Sequence, residues 1–159
     1  MESPDPPLAM EAALAAPRAK RSNLPEPFAS RMAGRERRPL GELFGLKNFG
    51  VNLTSIAPGG ETALLHRHGL QDEFVFVLQG EPTLVTERGE VALHPGMCAR
   101  FAAGGVAHQL VNRSESVVVY LEIGDRTPGD WAEYPNDDLA GKFIESGQWT
   151  FCHKDGRPY

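Results

Sequence analysis

An all-β fold is predicted for this chain of 159 residues, and three observations predict it. Runs of roughly four to eight residues rich in Val, Ile, Thr and aromatics recur between clusters of Gly, Pro, Asn and Asp. The turn signals fall at short intervals, the pattern of a sandwich or a barrel. Helix signals are scarce, and only Asp137–Lys142 suits a single short turn. One domain is expected, because 41% hydrophobic and 23% charged residues are ordinary usage for a chain of this size that buries a core.

In chain order, residues 1–23 are rich in Pro and Ala and are expected to form a flexible tail. The domain proper is placed at 24–159. Leu24–Glu42 carries turn residues but also Phe28 and Met32, so it is expected to lie along the sheets rather than hang free. Strands are expected near Lys47–Ile56, Glu61–His68, Glu73–Gln79, Pro82–Glu87, Val91–Leu93, Cys98–Phe101, Ala107–Asn112 and Ser116–Ile123. Glu87-Arg88-Gly89-Glu90 reads as a tight hairpin, with Gly89 supplying the positive φ such turns need. His94-Pro95-Gly96 and Gly104-Gly105 mark two further turns. From Asp125 on, Trp131, Tyr134, Phe143, Trp149, Phe151 and Tyr159 carry too much apolar surface to stay in water. Residues 125–159 are therefore expected to wrap over a core at about 40–124 or over a partner subunit.

Composition excludes some partners. A net charge of −5 argues against nucleic acid. The basic cluster Arg18, Lys20, Arg21, Arg31, Arg35, Arg37 and Arg38 reads as an arm docking on an acidic body. No window is apolar for the 18 or so residues of a membrane-spanning helix, and Pro7 and Glu11 interrupt any signal-peptide core, so no membrane partner and a cytoplasmic location are expected. Cys98 and Cys152 do not form a disulfide framework. Cys98 is read as a small buried hydrophobe in its strand.

The chemistry gathers in the stretch from Gly59 to Gly80, GGETALLHRHGLQDEFVFVLQG. His66 and His68 are two apart, so in a strand both imidazoles project to one face. Glu73 comes after a short polar turn and opens the next strand, with Asp72 directed to solvent by alternation. Two histidines and a carboxylate on one sheet face are ligands for a divalent metal with open coordination positions. His94 and His153 sit in polar turns and are read as surface residues, and Asn112 as a structural hydrogen-bonding group. Val118, Tyr120 and Glu122 share one face of the last long strand. Whether that face or the face of Val117, Val119 and Leu121 is the interior stays open, as it does for Arg100 and Gln109. No Gly-x-Gly-x-x-Gly, phosphate loop or Gly-x-Ser-x-Gly elbow is present.

The spacing Gly60-x5-His66-x-His68-x4-Glu73-x6-Gly80 resembles the first motif of the cupin superfamily, and Gly96-MCARFAA-GGVA-His108-QLV-Asn112 the second. Ala103 stands where that motif usually has proline, and the Gly96-to-His108 interval is one residue longer than the common form. The resemblance implies a single cupin-type jelly-roll β-barrel with N- and C-terminal extensions. It also implies a metal site of His66, His68, Glu73 and His108, three imidazoles and one acid. Such a set accepts Mn, Fe, Ni, Co, Cu or Zn. The segments GLKNFGVNL, EIGDR, YPNDDL and HKDGRPY extend the likeness to a bacterial subgroup of small metal-binding cupins over Leu24–Tyr159. The resemblance implies a metal-dependent enzyme on a small molecule, of isomerase, epimerase, dioxygenase or decarboxylase type, with a sugar or sugar phosphate among the substrates. The alternative is a non-catalytic module that binds or senses a small molecule. Small cupins tend to pair, so a homodimer is expected, with the aromatic C-terminal segment and the basic arm as surfaces.

Overall fold

The computed structural model describes residues 5–159. Among them are twelve strands: β1 (Arg35–Arg38), β2 (Phe49–Ile56), β3 (Arg67–His68), β4 (Glu73–Gln79), β5 (Thr83–Thr86), β6 (Gly89–Ala92), β7 (Cys98–Phe101), β8 (His108–Val111), β9 (Val118–Asp125), β10 (Trp131–Glu133), β11 (Ala140–Phe143) and β12 (Trp149–Cys152). Two single-turn helices, α1 (Phe28–Arg31) and α2 (Leu40–Leu43), precede β1 and β2 respectively. No helix among the described residues is long and apolar enough to cross a membrane.

The strands form three antiparallel sheets, ordered β1-β2-β9-β4-β7, β12-β11-β10-β3 and β6-β5-β8. They do not close into one continuous barrel, which corrects the closed shell expected from the sequence; a jelly-roll sandwich describes them. The reason lies at Glu61–His68, expected as one strand. Leu64 and Leu65 are both buried, which breaks the two-residue alternation a regular strand requires. Pairing there thins to isolated bridges, Glu61 with Val111 and His66 with His108, which join the two smaller sheets.

Alternation decides the faces of the large sheet. On β4, Val75 and Val77 point inward, while Phe74 and Phe76 point out. On β9, Val118 and Tyr120 are buried, so the face left open by the sequence is the interior one. These residues form a core with Ile56, Leu93, Phe101 and Leu110 between the sheets. Gly80 ends β4 at φ 78°, and a Cβ there would stand 2.7 Å from the Val117 carbonyl, so the turn requires glycine.

A second core joins the two ends of the chain. Phe28 and Met32 from the N-terminal side pack with Leu64, Ala132, Tyr134 and Leu139, and Trp149 and Phe151 lie against them. The C-terminal segment thus wraps its own chain. Three local expectations are corrected. Asp137–Lys142 is no helical turn: it leads into β11, whose Gly141 and Phe143 are buried and Lys142 exposed, in strand alternation. Cys98 is exposed, because Phe101 takes the buried position of β7 and alternation turns Cys98 to the opposite side. The composition of residues 1–23 suggests a flexible tail, and Met1–Pro4 lie outside the described residues. Ala15–Asn23 nevertheless rests on β1: Arg18 N–H donates to the Arg37 carbonyl at 2.9 Å, and Arg35 and Arg38 donate to the carbonyls of Arg21 and Ala15. Long-range arginine–carbonyl bonds of this kind leave no periodic trace in the sequence.

Candidate metal centre

Three strands deliver four side chains to one point. His68 belongs to β3, and His66 lies two residues earlier with its imidazole on the same side. His66 exchanges both backbone hydrogen bonds with His108 of β8, at 3.1 and 2.8 Å, so these two imidazoles are cross-strand neighbours. Glu73 opens β4 opposite Gly124 of β9, a residue with no side chain to fill the space beside it.

The four groups expected to act together are brought together. Glu73 Oε2 lies 3.0 Å from His108 Nε2, 3.5 Å from His68 Nε2 and 3.6 Å from His66 Nε2. One ligand atom from each of His66, His68 and Glu73 lies within 4.8 Å of the other two. The outer nitrogens set the tautomers. His66 Nδ1 is 2.9 Å from the Leu64 carbonyl, and His68 Nδ1 is 2.6 Å from Asp130 Oδ2. A carbonyl can only accept, so His66 carries its proton on Nδ1, and the Asp130 carboxylate imposes the same on His68. Both Nε2 atoms then face inward as the ligating positions, that of His68 once it has lost the second proton of the imidazolium.

The geometry fits a cation. Despite the three nearby imidazoles, Glu73 Oε2 is shielded from water and makes no well-directed hydrogen bond. Converging nitrogen lone pairs and a carboxylate oxygen without a bridging proton are a donor set for a divalent ion. Three imidazoles and one acid also leave coordination positions open on an octahedral ion.

The electrostatics of the group come from this packing. Burial opposes the Glu73 charge, yet His108, His66 and His68 together hold its carboxyl well below the usual range. Burial likewise opposes the charge of His68, but the bond to Asp130 and the field of Glu73 raise its pKa. For His108 burial wins over Glu73, and its pKa is lowered. Aromatic rings wall the group in: Phe101 stacks on His108, Tyr134 on His66, and the Trp149 edge meets His68 at 5.4 Å between centroids.

The centre opens on a cavity of about 620 Å³, within the range that holds small ligands. Tyr120 and Glu122 of β9 line it, with the Tyr120 hydroxyl 3.5 Å from Glu122 Oε2. Glu122 accepts from Arg37 of β1 through both oxygens, at 3.1 and 3.0 Å. Asp72 is exposed and accepts from the Ala103 amide, and His94 is exposed in its turn. His153 bonds Asp138 near the C-terminus. Arg100 is exposed, whereas Gln109 is half-buried and donates to Glu61. Asn112 is buried and donates to the Ile56 and Ser116 carbonyls, the structural role expected of it.

Sequence reasoning missed Asp130, Tyr134, Trp149 and Arg37. Asp130 sits in a Thr-Pro-Gly-Asp turn that reads as ordinary loop chemistry, 62 residues from its partner His68. The two aromatics were legible only as apolar surface in need of cover.

Residues 52–124 match the family model described as the cupin domain. No curated protein matches the chain. Among solved structures, it is similar to a sugar phosphate isomerase from a cupin superfamily of Silicibacter pomeroyi, with 39% identity over 95% of this chain and 96% of that one and a TM-score of 0.88. It is also similar to a candidate sugar phosphate isomerase from Acidithiobacillus ferrooxidans, with 29% identity over 86% of this chain and 94% of that one and a TM-score of 0.70. The polyketide cyclase RemF from Streptomyces resistomycificus shares the fold alone, at 18% identity over 74% of this chain and 78% of that one and a TM-score of 0.61.

Proposed function

The chain belongs to the cupin superfamily, and from that premise we propose that it is a metal-dependent isomerase acting on a small phosphorylated sugar. His66, His68, Glu73 and His108 would hold a divalent transition-metal ion. The observation that carries this reading is the approach of three Nε2 atoms to within 3.6 Å of Glu73 Oε2, on the wall of a cavity sized for a small molecule. The likeness to the Silicibacter isomerase over nearly the whole of both chains supports the reaction class.

When bound, such an ion polarises a carbonyl or hydroxyl oxygen of the substrate. The chain's own groups supply the rest. Interconverting an aldose and a ketose moves one proton between adjacent carbons and a second from the hydroxyl oxygen to the carbonyl oxygen. Glu122, one of the carboxylates lining the cavity, would accept the carbon-bound proton and return it to the neighbouring carbon. Burial, and then the nearby Glu122 charge, push the Tyr120 hydroxyl up, so it stays protonated and serves as a donor. Tyr134 and Trp149 shield the imidazole end from water.

A module that orients a small molecule on the same ion without turnover is the second reading. One observation favours it: both Glu122 oxygens are engaged by Arg37, so the carboxylate is already committed to an ion pair.

We also place the chain as a homodimer in the cytoplasm, where its two unpaired cysteines stay reduced. The aromatic C-terminal segment is largely spent on its own core, so the second copy is assigned to the outer face of the large sheet. There Phe74, Ile123 and Val51 form one cross-strand row, and Phe76, Leu121 and Leu53 the next. Phe74 is 38% and Phe76 37% exposed, so the two rows form an apolar strip for a partner to cover.

Elemental analysis of the purified chain and of a His66→Ala, His68→Ala double variant tests the metal. About one ion per chain in the first and none in the second is expected. Full metal content in the variant moves the site elsewhere. Proton NMR of aldose phosphates in deuterated water tests the reaction, since it reads both the ketose formed and any deuterium taken up when a carboxylate carries the proton. Metal with neither ketose formed nor deuterium taken up across such a panel favours the binding module.

A further inference from the structure

The cavity has a second polar cluster, on the β1 side of the large sheet. The register fixes its place. Inward-facing positions run in rows across the sheet: Arg37, Thr54, Tyr120 and Val77 in one, Asn52, Glu122 and Val75 in the next, then Gly50, Gly124 and Glu73. Glu73 therefore stands three strands across from Arg37 and two rows along, about 14 Å in the first direction and about 13 Å in the second at the usual strand dimensions. Between these backbones the Arg37 guanidinium reaches across to Glu122.

Arg18, Arg35 and Arg37 all line this cavity, and each has an Nε–H shielded from water with no hydrogen-bond acceptor. Both terminal nitrogens of Arg35, and Nη2 of Arg18 and of Arg37, are spoken for. Arg35 donates to the Thr62 and Arg21 carbonyls, Arg37 to Glu122, and Arg18 to Glu42. Arg35 is 6% exposed, so water cannot readily serve its remaining donor. A buried donor left unpaired is destabilising, and three in one cavity form a set that oxygen atoms of a ligand would satisfy. The cationic groups also crowd one another. Arg35 and Arg37 alternate onto one face of β1, and the Arg18 amide is bonded to the Arg37 carbonyl. Burial first, and Arg37 next, push the Arg35 guanidinium down to about 10, with Arg18 adding to the effect. Lys20 lines the same cavity. Of the nearby carboxylates, Glu122 is held by Arg37, and Glu42 lies between Arg18 and Arg126.

We propose that this end of the cavity binds the phosphoryl group of the substrate, with Arg18, Arg35 and Arg37 donating Nε–H to its oxygens and Lys20 adding charge. A dianionic group with several equivalent oxygens matches a set of cationic donors in a way that a neutral sugar hydroxyl does not. The reacting carbonyl then lies toward the imidazoles, and the span between the two clusters selects substrates whose carbonyl and phosphoryl groups are several carbons apart. The assignment rests on the isomerase reading for what the rest of the ligand is, but not for the anion itself.

Calorimetric titration of the full chain with inorganic phosphate, against chloride at matched ionic strength, tests it. Binding by the wild-type chain is expected, weakened tenfold or more in Arg18→Met, Lys20→Met, with melting temperature and metal content unchanged. An Arg37→Gln, Glu122→Gln variant removes that ion pair as a unit, so no lone charge is left behind, and it should lose phosphate binding as well. No response beyond chloride in the wild type, or wild-type binding in both variants, overturns the proposal. Metal content measured on the same samples separates the two readings: phosphate bound by a chain that takes up no metal sinks the isomerase and leaves the anion site standing.

Discussion

Asp130 is 1% exposed and holds His68 by a 2.6 Å bond from Nδ1 to Oδ2. Its other oxygen accepts from the Leu70 and Gln71 amides at 2.7 and 3.3 Å. One buried carboxylate thus aims an imidazole and ties down the turn that separates it from Glu73.

Asp130→Asn keeps the shape but removes the charge behind His68. Metal affinity should fall about ten- to a hundredfold, the usual effect of losing a partner behind a ligand. Competition against a chromogenic chelator measures it, and an unchanged affinity would show that Asp130 serves the fold alone.

The raised pKa of His68 gives opposite pH trends with and without metal. In the metal-free chain, the folded value lies above the ordinary 6.5. Its stabilisation is therefore complete below that ordinary value and is lost as pH rises through the folded one. A bound ion must displace the same proton, so metal affinity weakens as pH falls through the raised value. Glu73 does not contribute in this window, because its carboxyl is held well below the usual range. Thermal melts between about pH 5.5 and 8.5 should thus show the metal-dependent gain in stability growing with pH. A gain that is flat across the window would remove His68 from the ligand set.

Leu139 is fully buried in the core shared by the two ends of the chain, beside the Tyr134 that stacks on His66. Leu139→Ala should cost about 2–5 kcal/mol, the range for a leucine cut from a packed core. Urea unfolding reads the loss, and a change below 1 kcal/mol, on the order of an exposed site, would mean that this core contributes little.

Phe74→Glu with Phe76→Glu places two charges on the outer face of the large sheet without touching the cavity wall. Light scattering at micromolar concentration should change from dimer to monomer. A dimer that survives the pair of substitutions must use another surface.

Much of the site was readable because its spacing is local. His66, His68 and Glu73 lie within one hairpin-sized stretch, and strand alternation alone puts the imidazoles on one side. His108 needed the family likeness, since a separation of 42 or 40 residues from its fellow imidazoles carries no period (108 − 66, 108 − 68). The strands β4 and β7 match their expected bounds because both are bracketed by turns and alternate cleanly. Glu61–His68 failed as one strand at the adjacent Leu64 and Leu65, where two inward residues in succession look like a stronger strand in sequence and make a weaker one in space. Asp130, and the pairing of Arg37 from the basic cluster with Glu122, were not legible because they act across the fold, through bonds between segments that no short window contains.

The arm from Ala15 to Asn23 supplies Arg18, Lys20, Ser22 and Asn23 to the edge of the chamber in which the chemistry is placed. Shortening the chain to begin at Leu24 would therefore leave the jelly roll its main core and remove a side of its cavity. Exchanging this arm for another would reshape the rim of that cavity while leaving His66, His68, Glu73 and His108 untouched.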